Sequence, residues 1–192
     1  MDYSDVAVRP IRDANALAKA IEISRHACED FHFDYGDFFK KYPESLWWGL
    51  YVKEEMVGAI RVIVQSPAGL PVYAEGGWPE LAKDVPANSC ELAMVSVAKE
   101  YRGQRRLFLP LYAAFYGFCL EQGIENVYAI LNRSIWRLYN VIGIRFTQCG
   151  EEKLYWSDPS FPAKLVISEL TAYVKEHRPE LWAMAEAFAK TG

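Results

Sequence analysis

Two apolar runs, residues 46–53 (LWWGLYVK) and 56–64 (MVGAIRVIV), are separated only by Glu54-Glu55. A gap that short sets the runs side by side and antiparallel, so they read as a β-hairpin. Arg61 lies inside the second run. An unpaired cation there would cost several kcal/mol, so it needs a partner: Glu91, a substrate carboxylate, or both.

The rest of the chain arranges itself around that hairpin. Residues 6–11 read as a short strand, and Asp13 caps a helix with Leu17, Ala20 and Ile21 at helical spacing. Residues 31–42 are aromatic and acidic without periodicity and read as a loop. The connection 66–89 is long enough to suggest a functional segment. Residues 90–98 (CELAMVSVA) alternate as a strand, 107–122 form a helix closed by Gly123, 126–131 a strand, and 134–141 a helix stopping near Gly143. Residues 144–149 and 153–157 suggest a second hairpin around Gly150, and 163–176 and 179–189 two last helices. That order predicts one α/β domain with a mixed sheet: a core over 1–160 and a helical extension over 161–192 packed on it.

Composition narrows the function. Of 192 residues, 52% are hydrophobic and 24% charged, which excludes disorder for most of the length. The net charge of -4 and a pI near 5.5 disfavour a general nucleic-acid binder. No run approaches the ~20 apolar residues of a membrane helix. The opening MDYSDVAVRPIRD carries acids where a secretory signal would be basic, so export is not expected. Cys28, Cys90, Cys119 and Cys149 form no CxxC pair, and His26, His32 and His177 lack metal spacing. Reduced thiols in a cytoplasmic protein, with no metal site, are expected.

The segment 95–106 (VSVAKEYRGQRR) is the most informative. A strand ends, a basic turn follows, and a long helix starts. Free N–H groups at that start, the helix dipole and three arginines suit a phosphate. A solvated basic turn is the other reading.

The order of elements, the Val95-Ser96-Val97 turn with Tyr101-Arg102-Gly103, and the later Asn132, Tyr139 and Gly143-Ile144 together resemble the GNAT-type N-acyltransferases. Their fold is a mixed, mostly antiparallel sheet flanked by helices. The resemblance implies that Val97, Arg102, Gly103, Gln104, Arg105 and Arg106 hold the phosphopantetheine of an acyl carrier, and that Tyr139 protonates the departing thiolate. The acetyltransferase form has glycines where Arg105 and Leu107 stand, and these side chains suit a donor other than ordinary coenzyme A.

A narrower resemblance runs over nearly the whole chain: Gly58-Ala59-Ile60-Arg61-Val62, Gly69-Leu70-Pro71, Trp78-Pro79-Glu80-Leu81, Glu91-Leu92-Ala93-Met94, Gly123-Ile124-Glu125-Asn126-Val127 and Arg178-Pro179-Glu180-Leu181-Trp182. It is similar to the acyl-homoserine-lactone (autoinducer) synthases and, more closely, to the long-chain N-acyl amino acid synthases. These take a fatty acyl group from acyl carrier protein to the amine of an amino acid or derivative. Met94 stands where the lactone synthases have a substrate-binding arginine, and Asp34 and Asp37 loosely echo their acidic pair.

The implied reaction needs a neutral amine, a stabilised oxyanion and a protonated leaving thiolate. A reference α-amine titrates at ~7.7–8.0, so a modest base acting through water suffices. Glu91 is the base candidate, with pairing to Arg61 as its structural alternative. Backbone N–H groups near a bulge at 94–97, including Val95, could stabilise the oxyanion. Tyr139 is either the acid or a core residue. Trp47 and Trp48 face opposite sides of a strand, so one could line a cavity with Met94 and Arg61 near the acceptor. The expected enzyme moves a medium- or long-chain acyl group from acyl carrier protein, with acyl-coenzyme A a possible donor, to an amino acid such as tyrosine; no cofactor is bound permanently. The rivals are a lactone synthase using S-adenosylmethionine, an acetyltransferase using acetyl-coenzyme A, and a non-catalytic lipid or acyl-carrier binding module.

Overall fold

A computed structural model describes residues 5–75 and 77–191, except for the side chains of 105, 106 and 191. Its centre is an eight-stranded sheet with the order β1-β2-β3-β4-β5-β8-β6, and β7 also pairs with β8. The strands are β1 (Val6–Pro10), β2 (Leu46–Val52), β3 (Glu55–Val64), β4 (Ser89–Val97), β5 (Asn126–Asn132), β6 (Thr147–Gln148), β7 (Lys153–Tyr155) and β8 (Asp158–Val166). Every pairing is antiparallel except β4 with β5. The GNAT-like architecture is present.

The β2–β3 hairpin turns one residue earlier than expected, at Lys53-Glu54. Both have positive φ (49° and 68°), the handedness that matches strand twist. Helix α1 (Ala14–Asp30) starts where expected: Asp13 Oδ1 accepts from the Ala16 N–H at 2.8 Å. It lies over one face of the sheet, burying Ala20 and Ile23 against Trp47 and Ala59. Helices α3 (Arg105–Glu121), α5 (Ile167–His177) and α6 (Pro179–Thr191) cover the other face, and α4 (Arg133–Ile142) follows β5. Gly117 lets α3 meet α6 closely, since a Cβ there would stand 2.6 Å from the Ala185 carbonyl oxygen.

Both long loops are packed down. Phe38 is buried within a 3-10 turn, Phe38–Lys40; the 66–89 connection holds helix α2 (Pro71–Ala74) and a 3-10 turn, Pro79–Lys83, and buries Leu70, Val72 and Trp78. These bulky apolar side chains anchor segments that lack a periodic pattern.

Two expectations need correction. Residues 144–149 and 153–157 do not form a hairpin with each other, because β6 and β7 each pair with β8 instead. The hairpin is β7–β8, turning at Trp156-Ser157, again with positive φ (48° and 65°). The helix expected from residue 163 begins at Ile167, and 163–166 belong to β8. Pro159 and Pro162 hide this strand from a propensity reading, since proline is depleted from sheet interiors. The 160/161 division thus falls inside β8, whose Phe161, Ala163 and Leu165 lie in the core.

Candidate active site

The site begins with an interruption in the sheet. Strands β4 and β5 pair only over Ser89–Glu91 and Asn126–Tyr128, yet β4 runs on to Val97 and β5 to Asn132. Beyond Glu91 the two strands splay. Against β3, Arg61 sits opposite Met94 but Val62 opposite Leu92, so Ala93 is an extra residue, a β-bulge. The bulge bends β4, and Ala93, Met94 and Val95 are half-exposed in a strand otherwise buried. Among the described residues, the main chain on this edge of β4 beyond Glu91 has no strand partner, which is what an oxyanion or an amide-bearing ligand requires.

The two faces of the splay differ. Toward α3 lies a narrow apolar seam of about 10 Å³, lined by Leu92 of β4, Phe115 and Tyr116 of α3, Leu165 of β8, Leu170 of α5 and Leu181 of α6. On the opposite face is a pocket of about 210 Å³, bordered by Asp34, Tyr35, Lys41, Glu75, Tyr155 and Trp156. Its aromatic walls Tyr35, Tyr155 and Trp156 pack in the same apolar cluster as Ala93 and Met94 of the splay. A third groove, of about 410 Å³, runs between α1 and the end of β4, past His26, Asp30 and Arg102.

Glu91 is 2% exposed and faces α2. Its Oε2 accepts from the Val72 N–H at 2.7 Å. Burial pushes its pKa up to about 8, outweighing the Val72 N–H and the charge of Arg61, which act downward; Glu75 adds to the rise. A carboxyl poised there can exchange a proton with an amine.

Arg61 is equally buried but finds its partners elsewhere. Nε donates to Ser45 Oγ at 3.0 Å, Nη1 to the Phe38 carbonyl at 3.0 Å, and Nη2 to the carbonyls of Lys41 and Tyr42. The guanidinium lies 4.6 Å from the Phe38 ring centroid and 5.4 Å from that of Trp47. Burial lowers its pKa to about 10, and the charge of Glu91 counters the shift without an ion pair. Arg61 is thus a fastener that ties segment 38–45 to the sheet.

The arginine turn divides. Arg102 Nη2 pairs with Asp30 Oδ2 at 2.9 Å and Nε donates to the Val97 carbonyl at 2.9 Å, so this side chain joins the ends of α1 and β4. Gly103 has φ +80°, and Gln104 begins α3 without a side-chain cap. The Gln104 side chain therefore caps none of the first N–H groups of α3. Arg105 and Arg106 occupy the first turn of α3, and their side chains lie outside the described residues.

Tyr139 is buried on the α3 side, 5.2 Å ring to ring from both Tyr112 and Phe146. Burial raises its pKa to about 12, offset in part by the Tyr112 hydroxyl. Trp47 packs beneath α1, and Trp48 packs edge-on to Phe118 at 5.1 Å. Neither lines the three cavities, because β2 is two strands from the splay. Val97 is buried and lends its carbonyl to Arg102. Among the described residues no group of three His, Cys, Asp or Glu side chains is placed to hold a metal ion, and no helix is long and apolar enough to cross a membrane.

Sequence reasoning did not single out Lys41, Glu75, Tyr155 or Trp156. The adjacent aromatics Tyr155-Trp156 were the available signal, but only the β7–β8 turn brings them against Phe38, with Trp156 and Phe38 rings 4.7 Å apart.

No family model and no curated protein sequence matches the chain. Solved structures do. FeeM, an N-acyl amino acid synthase from uncultured soil microbes, superposes with a TM-score of 0.73 at 20% identity, covering 88% of this chain and 94% of that one. BjaI, a CoA-dependent acyl-homoserine lactone synthase solved with SAM and isopentyl-CoA, gives 0.66 at 20%, covering 95% and 89%. An acetyltransferase assigned to the GNAT family, from Desulfovibrio desulfuricans, gives 0.58 at 14%, covering 84% and 99%. At these identities the likeness is one of fold.

Proposed function

We propose that this chain is an N-acyltransferase that moves a medium- or long-chain acyl group from the phosphopantetheine thioester of acyl carrier protein, or from acyl-coenzyme A, to the primary amine of an amino acid or an amine derived from one. The observation that carries the reading is the β4–β5 splay, with an apolar seam on one face and, on the other, Glu91 within electrostatic reach of Glu75 and Tyr155 of a polar, aromatic pocket. An acyl chain suits the first face, each buried methylene contributing about 0.8 kcal/mol. It would have to part the side chains of the seam, since about 10 Å³ holds no more than a water molecule.

In this reading the start of α3 and Gly103 receive the pyrophosphate or phosphate of the arm, with Arg105 and Arg106 adding charge. The main chain of 93–97, Val95 included, receives the carbonyl. The amine nitrogen attacks the thioester carbon and gives up a proton to Glu91, directly or through water. The oxyanion collapses, the C–S bond breaks, and the thiolate takes a proton from Tyr139. Enzymes similar in fold carry out such transfers, by their names: FeeM as an N-acyl amino acid synthase and BjaI as a lactone synthase.

Mass spectrometry of products tests the proposal, using lauroyl carrier protein, lauroyl-coenzyme A or, in parallel, acetyl-coenzyme A with a mixture of amino acids, amines and S-adenosylmethionine. An N-lauroyl amide is the expected product. A lactone, transfer from acetyl-coenzyme A alone, or a bound acyl chain without turnover would each refute it.

A further inference from the structure

The apolar seam has two unlike ends. One is at Leu92, the first residue of β4 beyond its last pairing with β5, so this end faces the splay. The other is at Ile167 and Leu170 of α5 and Leu181 of α6, across from α3. Tyr112 and Tyr116 stand one turn apart on α3, and both line the seam. Tyr112 leans toward α4, its ring 5.2 Å from that of Tyr139. Tyr116 leans toward α5 and α6: its hydroxyl lies 2.6 Å from Thr171 Oγ1, and its ring 6.1 Å from that of Trp182.

The single hydroxyl proton of Thr171 goes to the Ile167 carbonyl at 2.7 Å. The Tyr116 hydroxyl must therefore donate to Thr171 Oγ1. Two hydrogen bonds in series, running from α3 to the main chain of α5, thus close the inner end of a seam whose other walls are mostly aliphatic. Next to the Tyr116 ring comes half-buried Trp182, and then exposed Lys175, whose Nζ stands 4.3 Å from the Trp182 ring centroid. Tyr116 itself is 3% exposed.

An acyl chain entering at Leu92 parts the seam by turning leucine, isoleucine and phenylalanine side chains, which packing alone holds in place. Tyr116 resists in a different way. Swinging its ring aside breaks the bond to Thr171 and leaves a desolvated hydroxyl donor facing a methyl group, which cannot accept.

The geometry points to Tyr116, tethered by Thr171, as the stop that sets the longest acyl chain the seam accepts. The inference rests on the acyltransferase reading for placing the acyl chain in the seam, and it adds the residue pair that measures that chain.

The test is a chain-length profile of the full chain, with coenzyme A and carrier-protein thioesters from butyryl to palmitoyl, read as calorimetric binding and as transfer to a mixture of amines. In the unaltered chain, affinity and kcat/KM are expected to rise about fourfold per methylene and then to stop rising at one length. Tyr116→Ala is expected to move that break about four carbons longer by vacating the space of the ring. Should this variant fail to fold, Tyr116→Phe and Thr171→Val keep the shape and remove only the tether. Each is expected to raise kcat/KM for the first rejected length about fivefold relative to the last accepted one. A merely structural role would scale all lengths together. A break at the same length in every variant, or a profile without a break, would overturn the inference while transfer itself keeps the acyltransferase reading. A break that moves in binding, with no transfer from any thioester, would uphold the stop and overturn that reading instead. No binding at any length would overturn both.

Discussion

Glu91→Gln is the most informative single change. The glutamine preserves shape and can still accept from the Val72 N–H, so only the titration is removed. A carboxyl ordinarily at 4.5 and here at about 8 binds its proton more tightly folded than unfolded. At roughly 1.4 kcal/mol per tenfold, ionising it in place opposes folding by up to about 5 kcal/mol. The sign follows: its raised pKa leaves stability fully present below about 4.5 and lost as pH rises toward about 8. Urea midpoints of the unaltered chain should therefore fall between pH 5 and 8, and those of Glu91→Gln should fall much less.

Turnover carries the sharper signature. At neutral pH only about a tenth of Glu91 is ionised, and much of the acceptor amine is protonated. If both must be deprotonated, the logarithm of kcat/KM should climb with a slope near 2 below pH ~7. In Glu91→Gln the slope should drop to 1, with kcat lowered roughly 10²–10⁴-fold above pH 8. Identical slopes in the two proteins would remove Glu91 from proton transfer. A urea midpoint that does not move with pH would show that it is not buried uncharged.

Two packing predictions stand apart from the chemistry. Arg61→Met removes the donors to Ser45, Phe38, Lys41 and Tyr42 and should cost about 3 kcal/mol in urea unfolding, with segment 38–45 becoming protease-sensitive. An unchanged midpoint would contradict the fastener role. Gly117→Val would drive a branched side chain into the Ala185 carbonyl and Phe188 Cβ, now 2.6 Å and 2.8 Å from an ideal Cβ. A loss of roughly 2 kcal/mol, read as a lower Tm, should follow as α6 is pushed off α3.

Local chemistry explains why some of this molecule is legible from residues alone. The β2–β3 hairpin, the Asp13 cap, the limits of α3 and the stop of α4 at Gly143 (φ +89°) are each written within a few neighbouring positions. So is the need of Arg61 for a partner. The identity of that partner is not, because carbonyls carry no mark in a sequence and Phe38, Lys41 and Tyr42 lie about twenty residues away along the chain. Strand β8 was concealed by its prolines, and its place beside β5 was settled by burying Phe161, Ala163 and Leu165 in the core.

The candidate site depends still more on assembly. Glu91 stands out as a residue, but its raised pKa comes from α2 and the sheet closing over it. The splay exists because Ala93 bulges against β3 while β5 holds only the first residues of β4. The aromatic pocket draws on segments near residues 35, 75 and 155. Hydrogen-bonding and rotational preferences act between neighbours and leave their trace in order and spacing. Desolvation and cavities arise only when distant segments exclude water together, and that is a property of the packed molecule.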